Sequence, residues 1–314
     1  MGLFKKLRKY LTGRRMAWPP PRREGLSLSD INLRDPFILR DGQGGYLLTG
    51  TVYHYNYNDA GMCLCWKSRD LESWSGPFKL IDGEELGGVY YDFWAPEIHF
   101  IGGKYHLLIT LRPQGGKRGV YLFTADKADG KYAPAARLTP WEENCLDGTF
   151  YEGKDGAVYF AYCREYTDVK DGQVRCMRFE REELPAPAPD LADVPCLAGQ
   201  SKLLFKGSCN IFRPARGRQK VTDGPFYFER EGRICLLWST HVRGGRYALL
   251  WARAKTDAPD GEFEQMGALY DKDGGHAMIF CAESGQKYLV LHSPNARTVL
   301  TKKFEHPHLL PAEF

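Results

Sequence analysis

Five times along the chain, a short polar lead passes through a glycine-centred turn into a run of apolar residues. Asp35-Pro-Phe-Ile is followed by DGQGG and YLLTGT, and Ala95-Pro-Glu-Ile by GGK and YHLLITL. Asp147-Gly-Thr-Phe-Tyr leads to GKDG and AVYFAYC, and Asp223-Gly-Pro-Phe-Tyr to EREGR and ICLLWST. His276-Ala-Met-Ile-Phe leads to ESGQ and KYLVLHS. Short apolar runs bounded by Gly and Asp turns predict β-hairpins rather than helices. The leads are separated by 60, 52, 76 and 53 residues, which leaves room for two further strands after each hairpin. SRDLESWSGPFKLI and ARAKTDAPDGEFEQ read as such outer strands. Four strands in each of five units predict an all-β fold. It is a five-bladed β-propeller, with four-stranded antiparallel blades around a central channel. The Pro-rich stretch EREELPAPAPDLADVP, in the longest interval, reads as a loop insertion.

Composition agrees with this pattern. Aromatics reach 13%, with 34 Gly and 19 Pro, a mix that suits short strands and tight turns. Charge changes the picture more. The net +4 hides a split: eight Lys and Arg against Glu24 give residues 1–25 a charge of +7, so the rest carries −3. We read residues 1–25 as a basic tail and 26–314 as a single propeller domain. A mildly acidic body is a poor nucleic-acid surface. No run of about 18 apolar residues is present, so no membrane-spanning helix is expected. Leu3, Leu7 and Leu11, with Phe4, predict a short amphipathic helix over residues 3–12, packed on the protein's own acidic body. Lys and Arg interrupt every apolar stretch near the start, unlike a secretory signal. Nine cysteines show no Cys-x-x-Cys spacing, as expected of reduced thiols in a cytoplasmic protein. The sequence sets no oligomeric state.

In a propeller the innermost strand of every blade starts on the same face. Asp35, Asp147 and Asp223 therefore converge, and His276 joins them from the fifth unit. The second strand runs back to that face, which adds Glu165, His241 and, at the rim, His292 and Arg297. His99 is expected to face the blade interior. Crowded carboxyl groups push their pKa values apart, so one can stay protonated as an acid while another stays ionised as a base. That division suits cleavage of a glycosidic bond. Three carboxylates and a His would also suit Ca²⁺ or Mn²⁺, although no Asp-x-Asp-x-Asp loop accompanies them.

Asp35-Pro36-Phe37-Ile38, Trp94-Ala95-Pro96-Glu97-Ile98-His99, Asp147-Gly148-Thr149-Phe150 and Asp223-Gly224-Pro225 resemble, in order and spacing, the signatures of glycoside hydrolase family 43. The resemblance covers roughly residues 28–300. It implies a five-bladed propeller that hydrolyses terminal α-L-arabinofuranosyl or β-D-xylosyl residues with inversion. It makes Asp35 the general base, Asp147 the pKa-modulating carboxylate and Asp223 the general acid. It places Trp94 beside the sugar, and it allows His276 to hold a structural Ca²⁺ or a water in the channel. No cofactor is otherwise required, and the partner is an oligosaccharide. One position departs from the pattern: the family has Glu before Gly-Pro, where this chain has Asp223. A carboxyl drawn back by about 1 Å can cost about a hundredfold in rate. Either the pocket is rebuilt around the shorter acid, or Glu165 is the donor, or the chain is a degenerate propeller that binds sugar without cleaving it. An Asn-Asp-Pro-Asn-Gly nucleophile of the retaining β-fructosidase kind is missing, since Arg34 precedes and Phe37 follows Asp35-Pro36.

Overall fold

The computed structural model describes residues 19–52, 61–209, 220–295 and 306–312. Each apolar run becomes a strand, and the strands form five antiparallel sheets. The first holds β1 (Arg23–Leu26), β2 (Arg34–Arg40), β3 (Tyr46–Thr51), β4 (Met62–Ser68) and β5 (Trp74–Asp82), ordered β1-β5-β4-β3-β2. The second is β6 (Tyr90–Ile101), β7 (Lys104–Pro113), β8 (Gly119–Ala125) and β9 (Ala133–Arg137), in that order. The third is β10 (Cys145–Glu152), β11 (Val158–Arg164), β12 (Gln173–Phe179) and β13 (Lys202–Lys206). The fourth is β14 (Asp223–Arg230), β15 (Arg233–His241), β16 (Tyr247–Ala254) and β17 (Phe263–Tyr270). The fifth, among the described residues, is β18 (Gly275–Cys281), β19 (Lys287–Ser293) and β20 (His306–Pro311).

The first strand of each hairpin is innermost. β2 packs on β6 and β18, β10 on β6 and β14, and β14 on β18, which closes a ring of five blades. Second strands such as β3 are buried on both faces, which is why they read as unbroken apolar runs. Large rings fill the spaces between blades, with Trp74, Trp238, Phe123 and Phe160 fully buried.

One boundary differs from expectation. β1 is an extra outer strand of the first blade, so the end of the basic segment belongs to the propeller. The predicted helix over 3–12 lies outside the described residues. The Pro-rich insertion is tied down along β9: Ala188 N–H donates to Pro134 O (2.7 Å), and Leu197 N–H to Arg137 O (2.8 Å).

The register of every inner hairpin breaks at the same place, and that of the second blade breaks once more, between Tyr91 and Trp94. The breaks fall between Arg34 and Phe37, Trp94 and Glu97, Leu146 and Thr149, Asp223 and Phe226, and Gly275 and Met278. Just inside each break sits one residue in the left-handed region: Asp35, Ala95, Asp147, Gly224 and His276, with φ from 44° to 57°. This alignment corrects the sequence reading. The fourth-blade equivalent of Asp35 and Asp147 is Gly224. Asp223 stands one place earlier, level with Arg34 and Trp94. Gly224 is needed there, since a Cβ would lie 2.7 Å from the His276 ring.

The left-handed turn aims each lead N–H at the preceding blade. Ala95 N–H donates to Thr51 Oγ1 (2.7 Å), Asp147 to Thr110 Oγ1 (3.0 Å), His276 to Ser239 Oγ (2.8 Å) and Asp35 to His292 Nδ1 (3.2 Å). Buried N–H groups need such partners. These bonds hold neighbouring blades in step where the side chains converge.

Candidate active site

Asp35, Asp147 and His276 meet at one imidazole nitrogen. His276 Nδ1 lies 3.2 Å from Asp35 Oδ1 and 3.8 Å from Asp147 Oδ2. Asp35 Oδ2 accepts the Thr51 hydroxyl at 2.6 Å, while Thr51 accepts the Ala95 N–H. Asp147 Oδ2 accepts the Gly224 N–H at 3.0 Å, and the next side chain back is Asp223. Asp223 Oδ2 accepts the Tyr247 hydroxyl at 2.9 Å. Tyr247 stacks on His292, with ring centroids 5.8 Å apart. It reaches Asp223 because Gly275 has no side chain: a Cβ there would lie 2.8 Å from the Tyr247 ring. All four predicted groups are therefore brought together.

The environments of the carboxyl groups differ. Burial acts to raise the pKa of Asp35, but the pull of His276 and Arg34 and the Thr51 hydrogen bond outweigh it, and Asp35 is held well below the ordinary carboxylate range. Arg34 Nε lies 3.7 Å from Asp35 Oδ1. Asp147 moves the other way: burial raises it, His276 opposes, and the charges of Asp223 and Asp35 raise it further. Burial also raises Asp223, against His276 and the Tyr247 hydroxyl. His276 is raised, since Asp35, Asp147 and Asp223 outweigh its burial. His292 goes down to about 3 through burial and the nearby Arg34. It is neutral, so its Nδ1 accepts from Asp35 N–H while Nε2–H donates to Asn295 Oδ1 (3.1 Å). The pocket thus pushes the pKa of Asp35 down and those of Asp147 and Asp223 up.

A second cluster forms the rim. Arg118 Nη1 pairs with Glu165 at 2.5 Å, and Thr167 Oγ1 donates to the same carboxyl at 3.0 Å. Arg118 Nε also bonds Asp92 (3.0 Å), which takes Arg112 Nε at 2.7 Å. The Arg118 guanidinium lies 4.4 Å over the ring of Trp94, which is half-buried. Glu165 is therefore a partner of Arg118, while Arg164 pairs with Glu143 instead.

His99 does not face a blade interior. Its Nε2 is 2.9 Å from Glu97, and its ring packs between Phe37 of the first blade and Phe150 of the third, so it lines the channel axis. His241 sits against Tyr247, with Nδ1 directed at Gly245 O. Arg297 lies outside the described residues. At His276, where the resemblance allows Ca²⁺ or a water, Nδ1 is turned to two carboxyl groups, and among the described residues no group of three or more His, Cys, Asp or Glu is placed to hold a metal. Sequence reasoning missed Thr51, Tyr247, Arg34 and Arg118. Only Arg34 left a signal, since it shares the position before the lead with Trp94.

A pH profile tests the electrostatics. Asp35 must be ionised to act as a base, and His276 is the chief cation holding its pKa down. His276→Gln removes that cation, so the acid limb of kcat/KM should move to higher pH. An unmoved acid limb would show that His276 does not set the ionisation of Asp35.

Known proteins fit this geometry. The family model described as glycosyl hydrolases family 43 matches residues 28–313. A curated extracellular exo-α-(1→5)-L-arabinofuranosidase of Streptomyces chartreusis is 22% identical over 223 residues, or 68% of this chain; the match spans 62% of that protein's length. An endo-arabinase structure from Bacteroides thetaiotaomicron superposes with a TM-score of 0.76 at 29% identity, covering 93% of this chain and 98% of the other. An α-L-arabinofuranosidase structure from Lactobacillus brevis gives 0.66 at 16% identity, covering 91% and 94%, a likeness of fold. With all five blades inside the match, the chain belongs to glycosyl hydrolases family 43.

Proposed function

We propose that this glycoside hydrolase removes terminal α-L-arabinofuranosyl or β-D-xylosyl residues from short oligosaccharides, with inversion. The reading is supported by one pocket in which Asp35 and Asp147 meet at His276 Nδ1, with the pKa of Asp35 pushed down and that of Asp223 pushed up by burial. Asp35 Oδ2 is committed to Thr51, while buried Oδ1 makes no aligned hydrogen bond. That oxygen takes the proton of the attacking water. Asp223 gives its proton to the leaving oxygen, and Tyr247 fixes which carboxyl oxygen is turned that way. Asp147 and His276 keep the pKa values of the two carboxyl groups apart. Arg118 covers one face of Trp94, and the sugar stacks on the other. Arabinose as the preferred sugar is supported by the names of the Streptomyces and Bacteroides relatives. Nine free cysteines support a reducing, cytoplasmic compartment, although the Streptomyces relative is described as extracellular.

The reaction needs no cofactor, since both proton transfers come from side chains. A panel of nitrophenyl glycosides, followed by proton NMR of the released sugar's anomeric centre, tests the proposal. Hydrolysis of the arabinofuranoside or xyloside with inversion is expected, at a rate unchanged by chelator. Retention overturns the mechanism. Binding without hydrolysis favours the sugar-binding propeller, a reading suggested by the shorter acid at position 223. A rate lost to chelator and restored by Ca²⁺ returns the metal to His276.

A further inference from the structure

The bonds that hold neighbouring blades in step have one exception, and it falls between the proposed acid and its modulator. Thr51 stands opposite Arg34 in its hairpin, Thr110 opposite Trp94, Ser239 opposite Asp223 and His292 opposite Gly275. Each accepts the lead N–H of the next blade. In the third blade the same place, opposite Leu146, is filled by Cys163. A thiol is a weak acceptor. This one is fully buried, and burial with the charges of Asp147 and Asp223 keeps it protonated. The next lead N–H is that of Gly224, and it goes to Asp147 Oδ2 at 3.0 Å. Gly224 is bonded to Asp223. The same Asp147 oxygen lies 3.8 Å from His276 Nδ1, so its carboxyl spans from the backbone of the acid to the imidazole beside the base.

We propose that Cys163 is a positioning residue: it puts a thiol where the other blades put a hydroxyl or imidazole, and so leaves the Gly224 N–H to Asp147. The carboxyl of Asp147 is thereby fixed against the backbone of Asp223. This inference rests on the roles proposed above for Asp147 and Asp223. A hydroxyl at 163 would repeat the bond that Ser239 makes to His276. It would take the Gly224 N–H, and Asp147 would lose its backbone donor. A methyl group could not do so.

The test contrasts Cys163→Ser with Cys163→Ala in the full chain. Serine and alanine remove nearly the same volume from this buried site, so a purely structural role would appear as lost stability, with serine no better than alanine, and would leave kcat and the Gly224 amide unaffected. The proposal predicts instead a difference in kcat. Cys163→Ser should lose about tenfold or more in kcat with KM little changed, and Cys163→Ala should stay within about threefold of wild type, since the displacement of a group near the reacting bond is what costs rate. The amide resonance of Gly224, downfield in wild type through its bond to a carboxyl group, should move upfield in Cys163→Ser and stay in place in Cys163→Ala. An unmoved Gly224 resonance in Cys163→Ser, or an alanine variant as impaired as the serine one, overturns the proposal. If wild type hydrolyses no glycoside, the functional reading fails, and the Gly224 resonance alone decides the role of Cys163.

Discussion

Asp35→Asn should lower kcat/KM by about a thousandfold, within the range that a general base contributes. An amide cannot take up the water's proton, yet it has nearly the shape of the carboxyl it replaces. Asp35 is 8% exposed, so the effect on folding has to be considered. Three features keep the variant folded. Asn accepts a left-handed backbone, such as the φ of 50° at this position, as readily as Asp does. The amide oxygen can still receive the Thr51 hydroxyl. The Asp35 N–H to His292 bond, which holds the first blade to the fifth, uses the backbone and is untouched. The main cost is to His276, which loses its nearest counter-charge. The variant should thus show a wild-type circular dichroism spectrum and a melting temperature within a few degrees of wild type. More than a tenth of wild-type activity in a folded Asp35→Asn protein would remove Asp35 from the role of base.

The sequence revealed the blades because each innermost hairpin repeats a lead, a turn and an apolar run, and that repetition survives divergence. It revealed Asp35, Asp147 and His276 for the same reason, as each stands at the left-handed lead position. The phase at Asp223 was misread because Asp-Gly-Pro looks like the Asp-Pro and Asp-Gly of the other leads. What sets the phase is the register break, a backbone feature, and in the fourth blade it centres on Gly224. Two partners of the site were invisible for a different reason. Thr51 and Tyr247 come from the second and third strands of the blades that carry Asp35 and Asp223, and only strand pairing sets them against those carboxyl groups, while His292, expected at the rim, reaches the Asp35 N–H by ring closure. Glu165 pairs with Arg118, which comes from another blade, just before β8, and not with its sequence neighbour Arg164, which points to Glu143.

The two candidates for the proton donor should separate according to leaving group. A donor matters in proportion to how poor the leaving group is: a sugar alkoxide needs a proton, and dinitrophenolate does not. Replacing the true acid by its amide should nearly abolish hydrolysis of a natural oligosaccharide and spare much of the activity on a dinitrophenyl glycoside. Asp223→Asn should show that split. Burial raises the pKa of Asp223, the direction an acid needs, and Tyr247 Oη–H occupies Oδ2, which leaves Oδ1 to face the leaving oxygen. Glu165→Gln should behave differently. Its carboxyl is bound by Arg118 and Thr167, and Arg118 in turn lies over Trp94. Loosening that arginine disturbs the sugar's stacking surface, so both substrates should lose a similar, modest factor, chiefly in KM. If Glu165→Gln gives the split and Asp223→Asn does not, the donor has moved from the fourth blade to the third, and Arg118 must release Glu165 when substrate binds. If neither variant gives it, no carboxyl in this pocket delivers a proton to the leaving group, and a propeller that binds sugar without cleaving it becomes the better account of the same cleft.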